Sequence, residues 1–312
     1  MGCVCSRPGF QIGDDRFRME RLIAEGGFGQ IFLVKSRSGQ RLALKKVVCH
    51  SSGDFRKAKR ELEIHRLLGN DKPHVMRLLQ GSCDGEKTAV DASTETLQLT
   101  SEGELTTARI VYMVMPFYRR GNLLDELSRR RMSSIPFNEK ELLTLFRGVC
   151  IGVAAFHELQ PPYAHRDLKP GNVLLSDADN EPVLMDFGSV QPARFRVNSS
   201  KEAQALQDDA AENCSLPYRP PEFFTVQSGD AFDERTDIWS LGCLLYALCC
   251  FESPFEEALA KGDSIALATL AANVQFKESF RYSDGIKALI KKTVVADRLQ
   301  RPFVQQVISE TK

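Results

Sequence analysis

The feature that most constrains this chain is a pair of short blocks in its second half. Ala164-His165-Arg166-Asp167-Leu168-Lys169-Pro170-Gly171-Asn172 is followed by Met185-Asp186-Phe187-Gly188, and chance does not supply both in this order. Whatever fold the chain adopts must hold these acids, the amide and the lysine in fixed places. With 312 residues, at roughly 150 per domain, it has room for one large domain or two lobes around a cleft. Apolar residues make up 43% and charged residues 26%, the composition of an ordinary globular protein. Lys plus Arg and Asp plus Glu both number 41, so no bulk basic field exists to hold nucleic acid by counterion release.

The nine cysteines are odd in number and scattered, with no pair of CxxC units, and read as reduced cytosolic thiols. The longest uncharged stretch, 238–251, falls short of the roughly 18 apolar residues of a membrane span and reads as a buried core helix. The amino terminus lacks the basic start and apolar block of a secretory signal. It reads Met1-Gly2-Cys3-Val4-Cys5-Ser6, which fits the myristoylation pattern, with Gly2 acylated once Met1 is removed. One myristoyl chain binds membranes only reversibly, on the order of 10⁴ M⁻¹. Cys3 and Cys5 are therefore the expected palmitoylation sites that complete the anchor. Residues 1–16 are assigned to this lipid-anchor segment and 17–312 to the folded domain.

From 17 to 48 short β-prone runs (21–23, 30–34 and 41–45) are broken by glycines, as in a twisted antiparallel sheet. Residues 55–68 change to helical spacing. Residues 84–109 are rich in Thr, Ser, Glu and Gly and read as a long surface loop. An apolar strand at 110–117 ends the small lobe, 17–118. The large lobe, 119–312, is mainly helical, with helix-compatible spacing at 139–158, 238–251, 265–272 and 284–293.

Glu25-Gly26-Gly27-Phe28-Gly29 lies between two strand-like runs. Glycines there let backbone approach a ligand and offer N–H groups to phosphate, although a glycine-rich hairpin by itself is commonly just a turn. The reading gains weight from Lys45 on the following strand, which can reach phosphates beneath the hairpin, and from Glu61 on the next helix, which can hold that lysine.

The two blocks resemble the HRDLxxxN catalytic loop and the DFG turn of protein kinases, and the resemblance covers nearly the whole chain after the anchor segment. It implies a bilobal α+β fold, a small antiparallel β-sheet lobe with one helix and a larger mainly α lobe. It implies ATP and Mg²⁺, with Asp167 accepting the proton of the substrate hydroxyl, Asn172 and Asp186 coordinating the metal, and Lys169 steadying the transferring phosphoryl group. By the same resemblance Lys45 holds the α/β phosphates and pairs with Glu61. The remaining nucleotide contacts fall to Ile23, Ala24, the run 25–29 and Ile31. Ala43 and Leu174 cover the adenine faces, Met115 sits at the back, and Pro116-Phe117-Tyr118 form the hinge. Glu222 of Pro220-Pro221-Glu222 is expected to pair with Arg301, and Asp237 of Asp237-Ile238-Trp239 to brace the catalytic loop. Lys169 after the base and Ser215 before Tyr218 point to Ser or Thr substrates. Asn122, where an acid often reads basic substrates, gives no support for arginine-rich sites. Ala24 replaces the first glycine of the loop, which a negative φ tolerates.

Between Gly188 and Pro220, Ser199-Ser200-Lys201-Glu202 reads as a capping box and predicts a helix over 200–212. With 182–186, 226–228, 233–237 and the amino terminus, this feature resembles the Numb-associated kinase family, whose members carry an extra helix there. The resemblance implies a membrane-tethered Ser/Thr kinase that phosphorylates proteins, itself included, on the cytosolic face of Golgi, secretory-pathway or plasma membranes, with no nucleic-acid partner. The inserted helix suggests activity without an activating phosphate; Arg166, which commonly receives one, leaves the opposite open. The alternative is a pseudokinase or membrane scaffold using the fold to bind. A small-molecule kinase is disfavoured by the complete activation segment.

Overall fold

The chain is seen in a computed structural model that describes residues 9–26, 29–83, 97–99, 105–107 and 109–311. The expected acylation sites Gly2, Cys3 and Cys5, the loop residues Gly27 and Phe28, and most of 84–109 lie outside the described residues.

One compact unit comprises the chain through Asn70 together with Met76–Phe117. Its strands are β1 (Gly9–Ile12), β2 (Asp15–Gly26), β3 (Gly29–Lys35) and β4 (Arg41–Cys49), followed by helix α1 (Ser52–Leu68), β5 (Gln80–Cys83), β6 (Leu97–Leu99), β7 (Leu105–Thr107) and β8 (Arg109–Pro116). Six form an antiparallel sheet in the order β1-β2-β3-β4-β8-β5. Alternation sends Phe17, Val34, Leu42, Leu44 and Val114 into one core. Helix α1 begins at Ser52, ahead of the predicted residue 55. The reason is a full capping box: Ser51 Oγ accepts from Asp54 N at 3.1 Å and Asp54 Oδ2 from Ser51 N at 3.0 Å.

Two expectations are corrected here. The sheet starts before residue 17, because β1 pairs with β2 from Gly9↔Arg18 to Ile12↔Asp15 and Ile12 is only 1% exposed. A four-residue strand is too short for its alternation to register, and Gly13, at φ +57°, makes the tight turn. The stretch 84–109 is also not loop throughout, since β6 and β7 pair from Leu97↔Thr107 to Leu99↔Leu105.

The second unit comprises Asp71–Val75 and the chain from Tyr118 onward. Tyr118 thus belongs here rather than to the small lobe. Asp71–Val75 joins it because His74 O accepts Leu184 N at 2.8 Å and Val75 bridges Leu184. Its first elements are α2 (Leu123–Ser133), α3 (Glu139–His157), β9 (Tyr163–Ala164), β10 (Val173–Leu175), β11 (Pro182–Leu184), β12 (Gln191–Pro192) and β13 (Phe195–Arg196). Then follow α4 (Ser200–Asn213), β14 (Ala231–Phe232), α5 (Arg235–Cys250), α6 (Glu256–Ala260), α7 (Ile265–Ala271), α8 (Asp284–Thr293) and α9 (Val304–Glu310). The unit is built around α5, on which almost every side chain is buried. Gly242 lets α8 come close: a Cβ there would lie 2.3 Å from Thr293 Oγ1. Among the described residues no helix is long and apolar enough to cross a membrane, and no disulfide joins the seven described cysteines.

Candidate active site

In the β-rich unit the glycine segment spans the β2–β3 hairpin, paired at Gly26↔Gly29, Glu25↔Gln30 and Ala24↔Ile31, with a register shift at Ile23. Gly29 has φ +103°, and a Cβ would strike Lys46 O at 2.4 Å, so this position requires glycine. Ala24 is absent from the positive-φ residues, which is why alanine is accommodated. Lys45 lies opposite Ile31 and Met113, and Ala43 opposite Met115. Lys45 Nζ donates to both Glu61 oxygens, at 2.7 and 2.8 Å, with both residues buried. Such a pair fixes the ammonium of this mid-strand lysine, at the cost of desolvating both charges. Met115 is buried, Pro116 ends β8, and Phe117 follows, partly exposed.

In the helical unit the loop 164–172 is organised by Asp237 from the first turn of α5. Its Oδ2 accepts His165 N at 2.7 Å and its Oδ1 Arg166 N at 2.9 Å. His157 Nε2 lies 3.0 Å from the same Oδ2. Burial alone would raise the Asp237 carboxyl, but His157, His165 and the Arg166 N–H together hold it below the ordinary range.

Asp167 is buried and saturated with donors. Oδ1 accepts Ser215 N at 2.8 Å, while Oδ2 accepts Lys169 Nζ at 2.8 Å and Asn172 Nδ2 at 2.9 Å. Burial pushes its carboxyl up, but the Lys169 charge and hydrogen bond with the Ser215 N–H outweigh it and hold it low. Lys169 Nζ also donates to Ser215 Oγ at 2.6 Å. Asn172 spends its Nδ2 on Asp167, donating to that residue's carbonyl at 2.9 Å as well, which leaves its Oδ1 as the atom that can accept or ligate. Met185 N donates to Asn172 O at 3.0 Å, which ties the catalytic-loop strand to the residue before Asp186, itself at φ +64°. An oxygen pair of one carboxylate and one amide suits a hard cation that takes its other ligands from phosphate and water. Phe187 is fully buried edge-to-face on Phe156, with ring centroids 5.1 Å apart, and against His165. Leu174, in β10, bridges Asn122. Asn122 itself caps α2, its Oδ1 accepting Asp125 N at 2.9 Å.

The activation segment contains the predicted helix, α4, seated on its own apolar cluster of Ala203, Ala210, Phe223, Val226 and Phe232. Ser199 Oγ accepts Glu202 N at 3.2 Å, but the Glu202 carboxylate takes Asn198 N at 2.9 Å rather than Ser199 N. The expected capping box is thus displaced by one residue. Arg301 binds Glu222 through two buried bonds of 2.8 and 2.7 Å, the expected pairing. Sequence reading missed Asp209, which meets Arg166 Nη1 at 2.8 Å, and His157. Neither stands in a motif, and the one signal for Asp209 is its place beside Ala210 on the inward side of the helix.

The sequence profile of the protein kinase domain matches residues 17–311. Serine/threonine-protein kinase 16 of Rattus norvegicus is 38% identical over 99% of this chain and 93% of its own length. The Homo sapiens protein of that name is 37% identical over the same shares. Serine/threonine-protein kinase ppk13 of Schizosaccharomyces pombe is 29% identical over 96% of this chain and 90% of its own.

Proposed function

The chain belongs to the protein kinase family, and from that premise we propose a membrane-tethered serine/threonine kinase that works with Mg²⁺ and without an activating phosphate. Enzyme class and Ser/Thr type follow from the family and the relatives; the residue roles, the metal and the membrane are the proposal. The observation that carries the roles is the triple hold of Lys169, Asn172 and Ser215 on Asp167.

In the reaction the substrate hydroxyl oxygen bonds to the γ-phosphorus of ATP, the bond from that phosphorus to the β–γ bridging oxygen breaks, and the hydroxyl proton passes to Asp167. The low-lying Asp167 carboxyl is ionised and ready to accept it. Lys169 shares the growing charge on the transferring group, and Lys45, held by Glu61, steadies the α/β phosphates. Asn172 Oδ1 and the Asp186 carboxylate would hold Mg²⁺, which when bound neutralises the phosphate oxygens.

The pairing of Arg166 with Asp209 supports activity without a phosphorylated segment. Gly2, Cys3 and Cys5 support acylation, and the inserted α4 supports kinship with the Numb-associated kinases. From these we read a location on the cytosolic face of Golgi, other secretory-pathway or plasma membranes. Mass analysis of the chain made in eukaryotic cells, together with fractionation of Gly2→Ala, tests the anchor. Loss from membranes is expected, and retention would contradict it. Phosphotransfer by Lys45→Met tests the roles, with near-complete loss expected.

A further inference from the structure

One surface of the β-rich unit carries charge that phosphoryl transfer does not use. A groove of about 630 Å³ is lined by Arg16, Arg18, Lys35 and Arg37, with Gly9 and Ser38, and among the described residues no Asp or Glu lines it. The three arginines are exposed and the lysine half-buried. No carboxylate among the described residues pairs with any of the four.

The strand register makes the arrangement costly. Arg18 stands directly opposite Lys35, and Lys35 opposite Arg41, and like charges facing each other across a ladder destabilise it. Glu20 answers Arg41 at 2.9 Å; no described carboxylate answers Arg18 and Lys35. Four unneutralised cations around one groove suit an anionic ligand better than they suit the fold.

The same row begins at Gly9, paired with Arg18, where the chain emerges from the segment carrying Gly2, Cys3 and Cys5. Three residues lie between Cys5 and Gly9, four steps of chain with a reach of at most about 14 Å. The headgroup layer is roughly 5–8 Å thick on each side of the hydrocarbon, and the field of an anionic leaflet extends about a further Debye length, roughly 8 Å. Acyl chains on so short a tether would bring this edge of the sheet within that field.

We propose that the groove of Arg16, Arg18, Lys35 and Arg37 binds the phosphates of anionic lipid headgroups and is a second, electrostatic membrane contact beside the acyl anchor. The proposal rests on the membrane reading above, yet its test does not depend on acylation. The full chain carrying Gly2→Ala, without lipid, is sedimented with vesicles of phosphatidylcholine alone or with one-third phosphatidylserine.

Binding to the anionic vesicles only is expected, fading as salt rises. Each surface-bound Lys or Arg is worth about a fivefold change in partition, so adding Arg18→Gln and Arg37→Gln should weaken binding about thirtyfold. Peptide phosphorylation by that variant should stay unchanged, and its melting temperature should hold or rise, since Arg18→Gln removes a like charge opposite Lys35. Equal binding by both proteins, or equal binding to neutral vesicles, would overturn the proposal. So would release when phosphate replaces chloride at matched ionic strength, which would mark a site for free phosphate. Absence of acyl groups on the cell-made chain would instead contradict the anchor alone.

Discussion

Arg166 Nη1 and Asp209 Oδ2 lie 2.8 Å apart, joining the residue before the proposed base to the helix inserted in the activation segment. The arginine is fixed from three sides. Its backbone sits at φ +68°, its N–H is held by Asp237 at 2.9 Å, and its guanidinium lies 5.0 Å from the Phe223 ring centre. Asp209 is fixed in turn by Gln191 Nε2 at 3.1 Å and by the seating of Ala210 in the α4 cluster. A carboxylate built into the fold thus occupies an arginine of the kind that elsewhere receives an activating phosphate.

Asp209→Asn keeps the shape and removes the charge, leaving Arg166 buried without a counter-ion. About a tenfold loss of kcat is expected, near 1.4 kcal/mol, with KM for ATP little changed. Phosphatase treatment of the parent should leave its rate within about twofold. A dephosphorylated parent that is inactive would show that the pair does not stand in for a phosphate. Steady-state peptide kinetics reads both.

Breaking the buried pair of Glu222 and Arg301 should unfold more than it inactivates. Arg301 also donates to Val295 O at 2.7 Å, Ala296 O at 3.1 Å and Arg235 O at 3.2 Å, so the N–H groups aimed at Glu222 are satisfied only while that carboxylate is present. Removing one member of a buried pair costs about 3–5 kcal/mol. At roughly 2–4 °C per kcal/mol, Glu222→Gln should melt about 6–20 °C below the parent in a calorimetric scan. A shift under about 3 °C on that scale would mean that the pair contributes little.

Acid should act on stability before it acts on the proposed base. Asp167 and Asp237 both have carboxyls held below their ordinary values. Groups of this sign contribute stability that is fully present above the unfolded value, about 4, and lost as pH falls through the folded value. Melting temperature should therefore be insensitive to these groups between about pH 5 and 7 and fall below about pH 4. Asp237→Asn should melt lower at neutral pH and lose less on acidification. The acid limb of kcat should lie lower still, below about pH 4; a midpoint near 6 would point to a different base.

Much of this was legible because the chemistry is local. Asp167, Lys169 and Asn172 share one loop, so their spacing alone brings them together, and Lys45 and Glu61 follow from a strand and the helix after it. The helix over 200–212 was readable from its cap, since Ser199 accepts Glu202 N, though the Glu202 carboxylate moved to Asn198. What escaped depends on partners distant in sequence. Asp209 and His157 are ordinary residues until folding sets them against Arg166 and Asp237. Strand β1 escaped because four residues carry too little pattern, and its burial depends on Phe17, Val34 and Tyr112.

The measurement that tests the central claim most directly is ATP- and Mg²⁺-dependent phosphate incorporation into the chain itself and into a generic Ser/Thr peptide, parent against Asp186→Ala. Incorporation on serine or threonine by the parent, and none by the folded variant, is the expected result. Equal and negligible incorporation by both, with each shown to be folded, would contradict the account and make the chain a binding scaffold.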